Sequence, residues 1–233
     1  MAIAYNPRIV TSGLVLALDA GNPKSYPGSG TTWRDLSGRG NTGTLTNGPT
    51  YSSGNGGSLD FVGSNSTYIT CGNSSSIQLT DSMSISCWFM PSNYASARQG
   101  LVGRNGLNEY TITLEQGGGV SFYFASVGLP GDYFNGASFL SFGQQNNIFQ
   151  QLTIVRDYNT NFVYVYKNGV QTSTSTSLSG TVKPTATSGP MTIGFGNGGY
   201  YSGKVGTISL YNRALTAAEI QQNFNSLRGR YGI

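Results

Sequence analysis

The run Gly203-Lys-Val-Gly-Thr-Ile-Ser-Leu-Tyr-Asn-Arg-Ala-Leu-Thr-Ala-Ala-Glu-Ile220 passes from one kind of secondary structure to another. Its first part, Lys204 to Tyr211, predicts a short turn-bounded strand. Its second part opens the one convincing helix in the chain. Thr216-Ala217-Ala218-Glu219 fits a capping box, in which the threonine hydroxyl takes a free backbone N–H and the glutamate reaches back. Leu215 before the cap and Ile220 inside the helix match a hydrophobic staple. Ile220, Phe224 and Leu227 then fall at i, i+4 and i+7, an apolar stripe narrow enough to dock on a sheet. Arg228 suits the negative end of that helix, and Gly229 suits a left-handed cap.

Outward from this run the chain reads as strands almost everywhere. Met83-Ser-Ile-Ser-Cys-Trp-Phe-Met90 puts Met83, Ile85, Cys87 and Phe89 on one face, and Ser84, Ser86, Trp88 and Met90 on the other. Pro91 closes it, and the serine side is expected to be solvated toward one end. Leu59–Phe61, Tyr68–Cys71, Glu109–Leu114, Val120–Val127, Gln151–Arg156 and Asn161–Lys167 follow the same pattern. Asn168-Gly169 accepts the positive φ angles of a two-residue type I′ turn, which makes Phe162–Lys167 and Val170–Ser175 the firmest hairpin. A further strand pair is expected between Met191–Phe195 and Lys204–Tyr211, joined by the Gly196–Gly203 loop. Gly28 to Gly57 is turn-rich but punctuated by Trp33, Leu36 and Leu45, so it reads as ordered loop and short strand. Residues 1–12 lack a pattern and read as an N-terminal arm; residues 13–233 read as one domain.

Composition narrows the function. Of the 233 residues, 9% are charged and 37% hydrophobic, which excludes charge-driven disorder and coiled coils. The 34 glycines follow no triplet period, so they mark turns, not collagen. There is no histidine, which removes Ser-His-Asp and Cys-His catalysis, His-bound metals and His-based pH switching. The net charge of +4 comes from 13 basic residues scattered singly, not from the dense stripe of a nucleic-acid surface. No run approaches the ~20 apolar residues of a membrane span, and no basic region precedes Leu14–Leu18 as in a secretory signal. A soluble product made in a cytoplasm is expected. Cys71 and Cys87 read as two buried free thiols, or as a bridge if they fall on neighbouring strands.

Three stretches carry a family resemblance. Met83–Pro91, the pairing of Leu152–Asp157 with Val163–Val170, and Gly203–Ile220 resemble the strands and capped helix of laminin-G-like domains in the concanavalin A-like lectin/glucanase superfamily. The resemblance implies an all-β fold: a two-sheet antiparallel jelly-roll sandwich with one short C-terminal helix. In addition, Gly13–Gly30 and Gln222–Ile233 are similar to the ends of laminin-G-like proteins of tailed phages, notably those infecting cyanobacteria. Those proteins are commonly virion components, and the closeness of both matches to the termini suggests a complete stand-alone protein.

Because the superfamily includes glucanases, the carboxylates decide whether the chain is an enzyme. Retaining glycosidases need two about 5–5.5 Å apart and inverting ones about 6.5–9.5 Å. The superfamily's hydrolases carry an E-x-D-x-E or E-x-D-x-x-E strand, and none exists among Asp19, Asp35, Asp60, Asp81, Glu109, Glu115, Asp132, Asp157 and Glu219. Glu109 and Glu115 on one extended strand would stand ~20 Å apart. No enzyme activity is expected. Many relatives hold a structural Ca²⁺, yet Phe61-Val62-Gly63 stands where the family often has Phe-Asp-Gly, and Thr207 and Ser209 replace acidic residues. No cofactor is expected: both departures count against a standard calcium site, and a structural Ca²⁺ would have only Asp60 and Asp157 as candidate single ligands, residues that read first as turn or edge positions.

Sugar contact would use exposed aromatics, and Tyr133, Tyr200 and Tyr201 in Gly- and Asn-rich loops are the candidates for contact with a glycan or with a protein partner; Trp33 and Trp88 read as core. The leading reading is a non-enzymatic virion structural protein, decorating the capsid or attached to the tail, with other virion proteins as partners and a homo-oligomer compatible with it. The alternatives are an adhesin for host or environmental glycans and a glycan hydrolase. No nucleic acid or membrane partner is expected.

Overall fold

The computed structural model describes residues 8–93, 97–104, 109–124, 142–174 and 188–233. The chain opens with β1 (Leu14–Asp19), β2 (Thr32–Trp33), β3 (Gly43–Thr46), β4 (Thr50–Ser52), β5 (Ser58–Phe61) and β6 (Tyr68–Thr70). The long β7 (Met83–Pro91) is followed by β8 (Gln99–Arg104), β9 (Tyr110–Leu114), β10 (Val120–Phe124), β11 (Gln150–Asp157), β12 (Phe162–Lys167) and β13 (Val170–Thr174). Then come β14 (Met191–Ile193), the short β15 (Phe195–Gly196) and β16 (Gly199–Tyr200), β17 (Gly203–Tyr211) and α1 (Ala217–Leu227).

These strands form two stacked antiparallel sheets. The first runs β13-β12-β11-β7-β17-β5-β4, with β1 also pairing β17; the second runs β10-β9-β8-β14-β6-β3-β2. The period-two reading of β7 holds: Met83, Ile85, Cys87 and Phe89 point into the core shared with Trp33, Ile69, Val102 and Ile112 of the opposite sheet. Burying each such side chain contributes about 1.5–3 kcal/mol. Cys71 and Cys87 are both free and buried.

The outer face of the first sheet is covered along β7. Ser84 and Ser86, expected to be solvated, are buried there. Ser84 Oγ donates to the Arg213 carbonyl and accepts from Leu215 N–H, tying β7 to the turn before α1. The capping box forms as read, with Thr216 and Glu219 exchanging hydrogen bonds. Ile220 packs with Val10, Tyr166, Tyr211 and Leu215, and Trp88 stacks between Phe224 (5.7 Å) and Tyr231 (4.4 Å). Residues 8–12 of the arm are docked, since Val10 N–H donates to Asn223 Oδ1 and Tyr211 Oη donates to the Val10 carbonyl. The helix does not end at Gly229 in a left-handed cap. Arg228–Tyr231 continues it as a 3₁₀ turn that delivers Tyr231 to Trp88, and Gly232 takes the left-handed conformation.

The expected pairing of Met191–Phe195 with Lys204–Tyr211 is not found. β14 pairs with β6 and β8 in the second sheet, while β17 pairs with β1, β5 and β7 in the first. The residues between them fold into the β15–β16 hairpin, and Tyr201 enters the core, so the chain crosses from one sheet to the other.

The free edge of β1 is covered by the Ser25–Asn41 loop. Asp35 accepts from the amides of Ala17, Ser37 and Asn41, Ser25 Oγ accepts from Asp19 N–H, and Asn41 Nδ2 donates to the Val15 carbonyl. Side chains thus occupy ladder groups that would otherwise invite another strand.

Candidate functional site

The second sheet leaves part of its outer face exposed. In register across four strands, Thr32 faces Thr44, Thr44 faces Thr70, and Thr70 faces Thr192. Directly opposed residues of an antiparallel pair share a face, so these four side chains form one row. Their neighbours Trp33, Leu45, Ile69, Met191 and Ile193 are buried in the core, which fixes the threonines outward. Thr32 and Thr44 are exposed, and Thr70 and Thr192 half-buried. The row continues through Gly103 to Thr111, which leans over Gly103 and is itself buried, so the open part ends at Thr192.

Beside the row stand three aromatic rings in mutual contact. Tyr68, on the same face of β6 as Thr70, lies 5.7 Å from Phe195 and 6.1 Å from Tyr200, and the last two rings are 4.6 Å apart with 29° between their planes. Phe195 is 37% exposed, and Tyr68 and Tyr200 are half-buried. The hairpin carrying two of these rings is seated on β8 by close backbone approach. A Cβ on Gly100 would lie 2.2 Å from the Gly196 nitrogen, so only glycine permits the contact. Thr192 Oγ1 donates to the Phe195 carbonyl at 2.8 Å, tying the threonine row to the hairpin.

Of the sequence candidates, Tyr200 belongs to this cluster. Tyr201 does not: its ring is fully buried, 6.0 Å from Phe61, and its hydroxyl donates to the Lys204 carbonyl. The period-two rule accounts for the difference, since adjacent residues on an extended segment point to opposite sides. Burial drives the Tyr201 phenol pKa upward. Tyr133 lies outside the described residues, as does the rest of its loop. Tyr68 and Phe195 were not singled out from the sequence. The available signal for Tyr68 was its place on the polar side of an alternating strand, where a ring has no core to enter.

The described carboxylates are engaged elsewhere. Asp19 binds Arg230, Asp60 binds Lys204, Glu109 binds Arg104, Glu115 binds Arg98 and Thr113, and Glu219 binds Arg213. Asp35 accepts the loop amides above, while Asp81 and Asp157 accept from the amides of Ser82 and Asn159. Among the described residues no three of Cys, Asp and Glu gather as a metal set.

Comparison with known proteins places this architecture. No curated protein matches the sequence. Among solved structures, the binding domain of Paraclostridial Mosquitocidal Protein 1 is 18% identical with a TM-score of 0.67, covering 92% of this chain and 52% of that one. Domain 4 of AbnA, an extracellular arabinanase from Geobacillus stearothermophilus solved with arabinotriose, is 19% identical with a TM-score of 0.66, covering 91% of this chain and 98% of that one. The binding domain of botulinum neurotoxin DC, solved in complex with SialylT, is 14% identical with a TM-score of 0.70, covering 93% and 52%. The chain thus spans about half the length of the toxin binding domains. At these identities the likeness is one of fold, and the fold is lectin-like. A family profile matches residues 63–221, well over half of the chain, and by that match the protein belongs to the Laminin_G_3 family of the concanavalin A-like lectin/glucanases superfamily.

Proposed function

We propose that the protein is a non-enzymatic structural component of a tailed-phage virion, made in the host cytoplasm, whose lectin-like sandwich makes surface contacts on the particle, with glycans among its targets. The observation that carries the non-enzymatic reading is the engagement of every described carboxylate with a cation, a hydroxyl or a backbone amide. An acid–base pair needs one carboxyl held protonated and a second free beside it. Purified protein is expected to release no reducing sugar from laminarin or host polysaccharide; measurable release would reject this half of the proposal.

The virion setting draws on the phage-like stretches at Gly13–Gly30 and Gln222–Ile233, which meet in space. Arg230 Nη1 donates to Asp19 Oδ1 at 2.6 Å, and a groove of about 380 Å³ opens at this seam, lined from both stretches by Leu14, Asp19, Asn22, Ser226 and Leu227. Such a seam suits docking on another virion protein. Mass spectrometry of purified particles is expected to find the chain, and its absence there would reject the virion reading.

The second reading, a glycan-binding adhesin, is favoured by the Tyr68–Phe195–Tyr200 rings. Aromatic faces stack on sugar rings and polar neighbours read the hydroxyls. The two readings are compatible, because one face can hold the particle while the other meets sugar.

A further inference from the structure

We propose that Asn197, at the tip of the β15–β16 hairpin, is a site of spontaneous covalent modification, where the neighbouring glycine amide displaces the side-chain nitrogen and water leaves aspartate or isoaspartate. The reaction needs no partner and holds whether or not the protein is a virion component.

The atoms balance within the chain and water. The Gly198 amide nitrogen, on losing its proton, attacks Cγ of Asn197 and closes a five-membered succinimide. The Cγ–Nδ2 bond breaks, and the side-chain nitrogen leaves as ammonia with that proton. Water then adds to one of the two imide carbonyls. Opening at Cγ gives aspartate; opening at the main-chain carbonyl gives isoaspartate, whose main chain runs through the side chain and is one atom longer. Glycine after the asparagine favours the attack, because it has no Cβ to shield its nitrogen and leaves the backbone free to rotate.

Asn-Gly occurs six times, at Asn47, Asn55, Asn105, Asn135, Asn168 and Asn197. Asn105 and Asn135 lie outside the described residues. Three of the other four are held. Asn168 N–H donates to the Gln151 carbonyl at 2.9 Å, and its Oδ1 accepts from Gln151 N–H at 2.8 Å. Helix α1 covers Gly169, where a Cβ would lie 3.1 Å from Phe224 Cβ. Asn47 Nδ2 donates to the Ser66 carbonyl at 2.9 Å. Asn55 precedes two pinned glycines, since a Cβ on Gly56 would overlap the Arg230 side chain and one on Gly57 the Gly21 backbone. All three asparagines also sit in the left-handed region, at φ 56°, 51° and 51°.

Asn197 is free of these restraints. Its carboxamide takes no hydrogen-bond partner among the described residues, and it is not among the residues at positive φ. Gly196, Gly198 and Gly199 surround it, and Gly198, though resting on the Arg98 stem on one side, is exposed. The hairpin's anchoring hydrogen bonds fall at Phe195 and Tyr201, outside the turn. Modification there reaches the aromatic cluster. Gly196 pairs directly with Gly199 across a two-residue turn, so isoaspartate breaks the turn's geometry and spreads Phe195 from Tyr200, while either product adds a carboxylate beside Arg98.

The full chain would be aged at neutral and mildly alkaline pH, in buffer and in urea, and mapped by peptide mass spectrometry with fragment-ion assignment. Carboxyl methylation by an isoaspartyl methyltransferase would identify the isoaspartate. In the native protein Asn197 is expected to convert at least about tenfold faster than Asn168, whose hydrogen bonds must open first. In urea the two rates should become alike, and alkaline pH should speed both, because the attacking amide must lose a proton. Asn197→Gln, whose longer side chain closes a larger ring far more slowly, should fold like the parent and lose the conversion at this position. Native conversion of Asn47, Asn55 or Asn168 ahead of Asn197 would overturn the proposal. So would an Asn197 that stays intact in buffer while converting in urea.

Discussion

Glu219 shows how one side chain can join two elements. It closes the capping box on Thr216, holds both Nη atoms of Arg213, and so fixes α1 to the end of β17. Its pKa falls from 4.5 to about 2, chiefly because Arg213 hydrogen-bonds the carboxylate, with the Thr216 amide adding to the effect. A carboxylate whose pKa is depressed by folding stabilises the fold above its unfolded value and loses that contribution as the pH drops toward its folded value. Glu219→Gln is therefore expected to cost on the order of 1 kcal/mol at neutral pH. Thermal melts of the two proteins should converge between pH 4.5 and 2. The cysteines make the opposite case. Burial raises the Cys71 thiol to about 12 and Cys87 well above its ordinary value, so neither supplies thiolate at neutral pH. Thiol titration should find both unreactive in the native protein and both reactive in denaturant; rapid native labelling of either would contradict its placement in the core.

At the scale of the element, the two hairpins differ in how much of them could be read beforehand. The β12–β13 turn was legible because Asn168 and Gly169 are the residues a type I′ turn demands, and both take positive φ, 51° and 78°. The β15–β16 hairpin was not legible. Its strands have two residues each, below any period that could register, and its position depends on Gly100, distant in sequence. A Cβ there would strike the backbone of Gly196, so Gly100→Ala should lift the hairpin and spread the three rings while leaving both sheets paired. The expected outcome is weakened glycan binding with a melting temperature lowered by only a few degrees, measured by titration and differential scanning calorimetry on the same sample. The same distinction explains why Tyr200 could be found from its loop while Phe195 could not. The Gly- and Asn-rich context of Tyr200 is local, whereas the partners of Phe195 are set by a sheet that forms from distant strands.

Across the whole molecule, alternation along β7 and β17 tied the sandwich to its helical cover. Period two in the sequence gave the strands, the family resemblance implied the two layers, and the capping box gave the helix. What the sequence did not reveal was that the serine end of the polar side of β7 would be buried as well as the Trp88 end, because that depends on the turn before α1 returning from the far end of the chain to cover Ser84. The consequence is a three-layer arrangement in which the middle layer is shared: inward residues of β7 serve the intersheet core and its outward residues serve the seal. The two tryptophans report on these spaces separately, Trp33 from the intersheet core and Trp88 from beneath the helix. If the helical cover were a detachable cap, a Trp33→Phe variant, reporting through Trp88, would lose its native fluorescence before a Trp88→Phe variant did. Because the same strands hold both environments, the two transitions are expected to coincide in urea at every probe temperature once each is aligned to its own calorimetric midpoint. Removing the cover by ending the chain at Leu215 should then shift the Trp33 transition as well, since β7 and β17 would lose the buried contacts of their outer faces. An unchanged Trp33 midpoint in that truncation would mean that the sandwich stands without its helix.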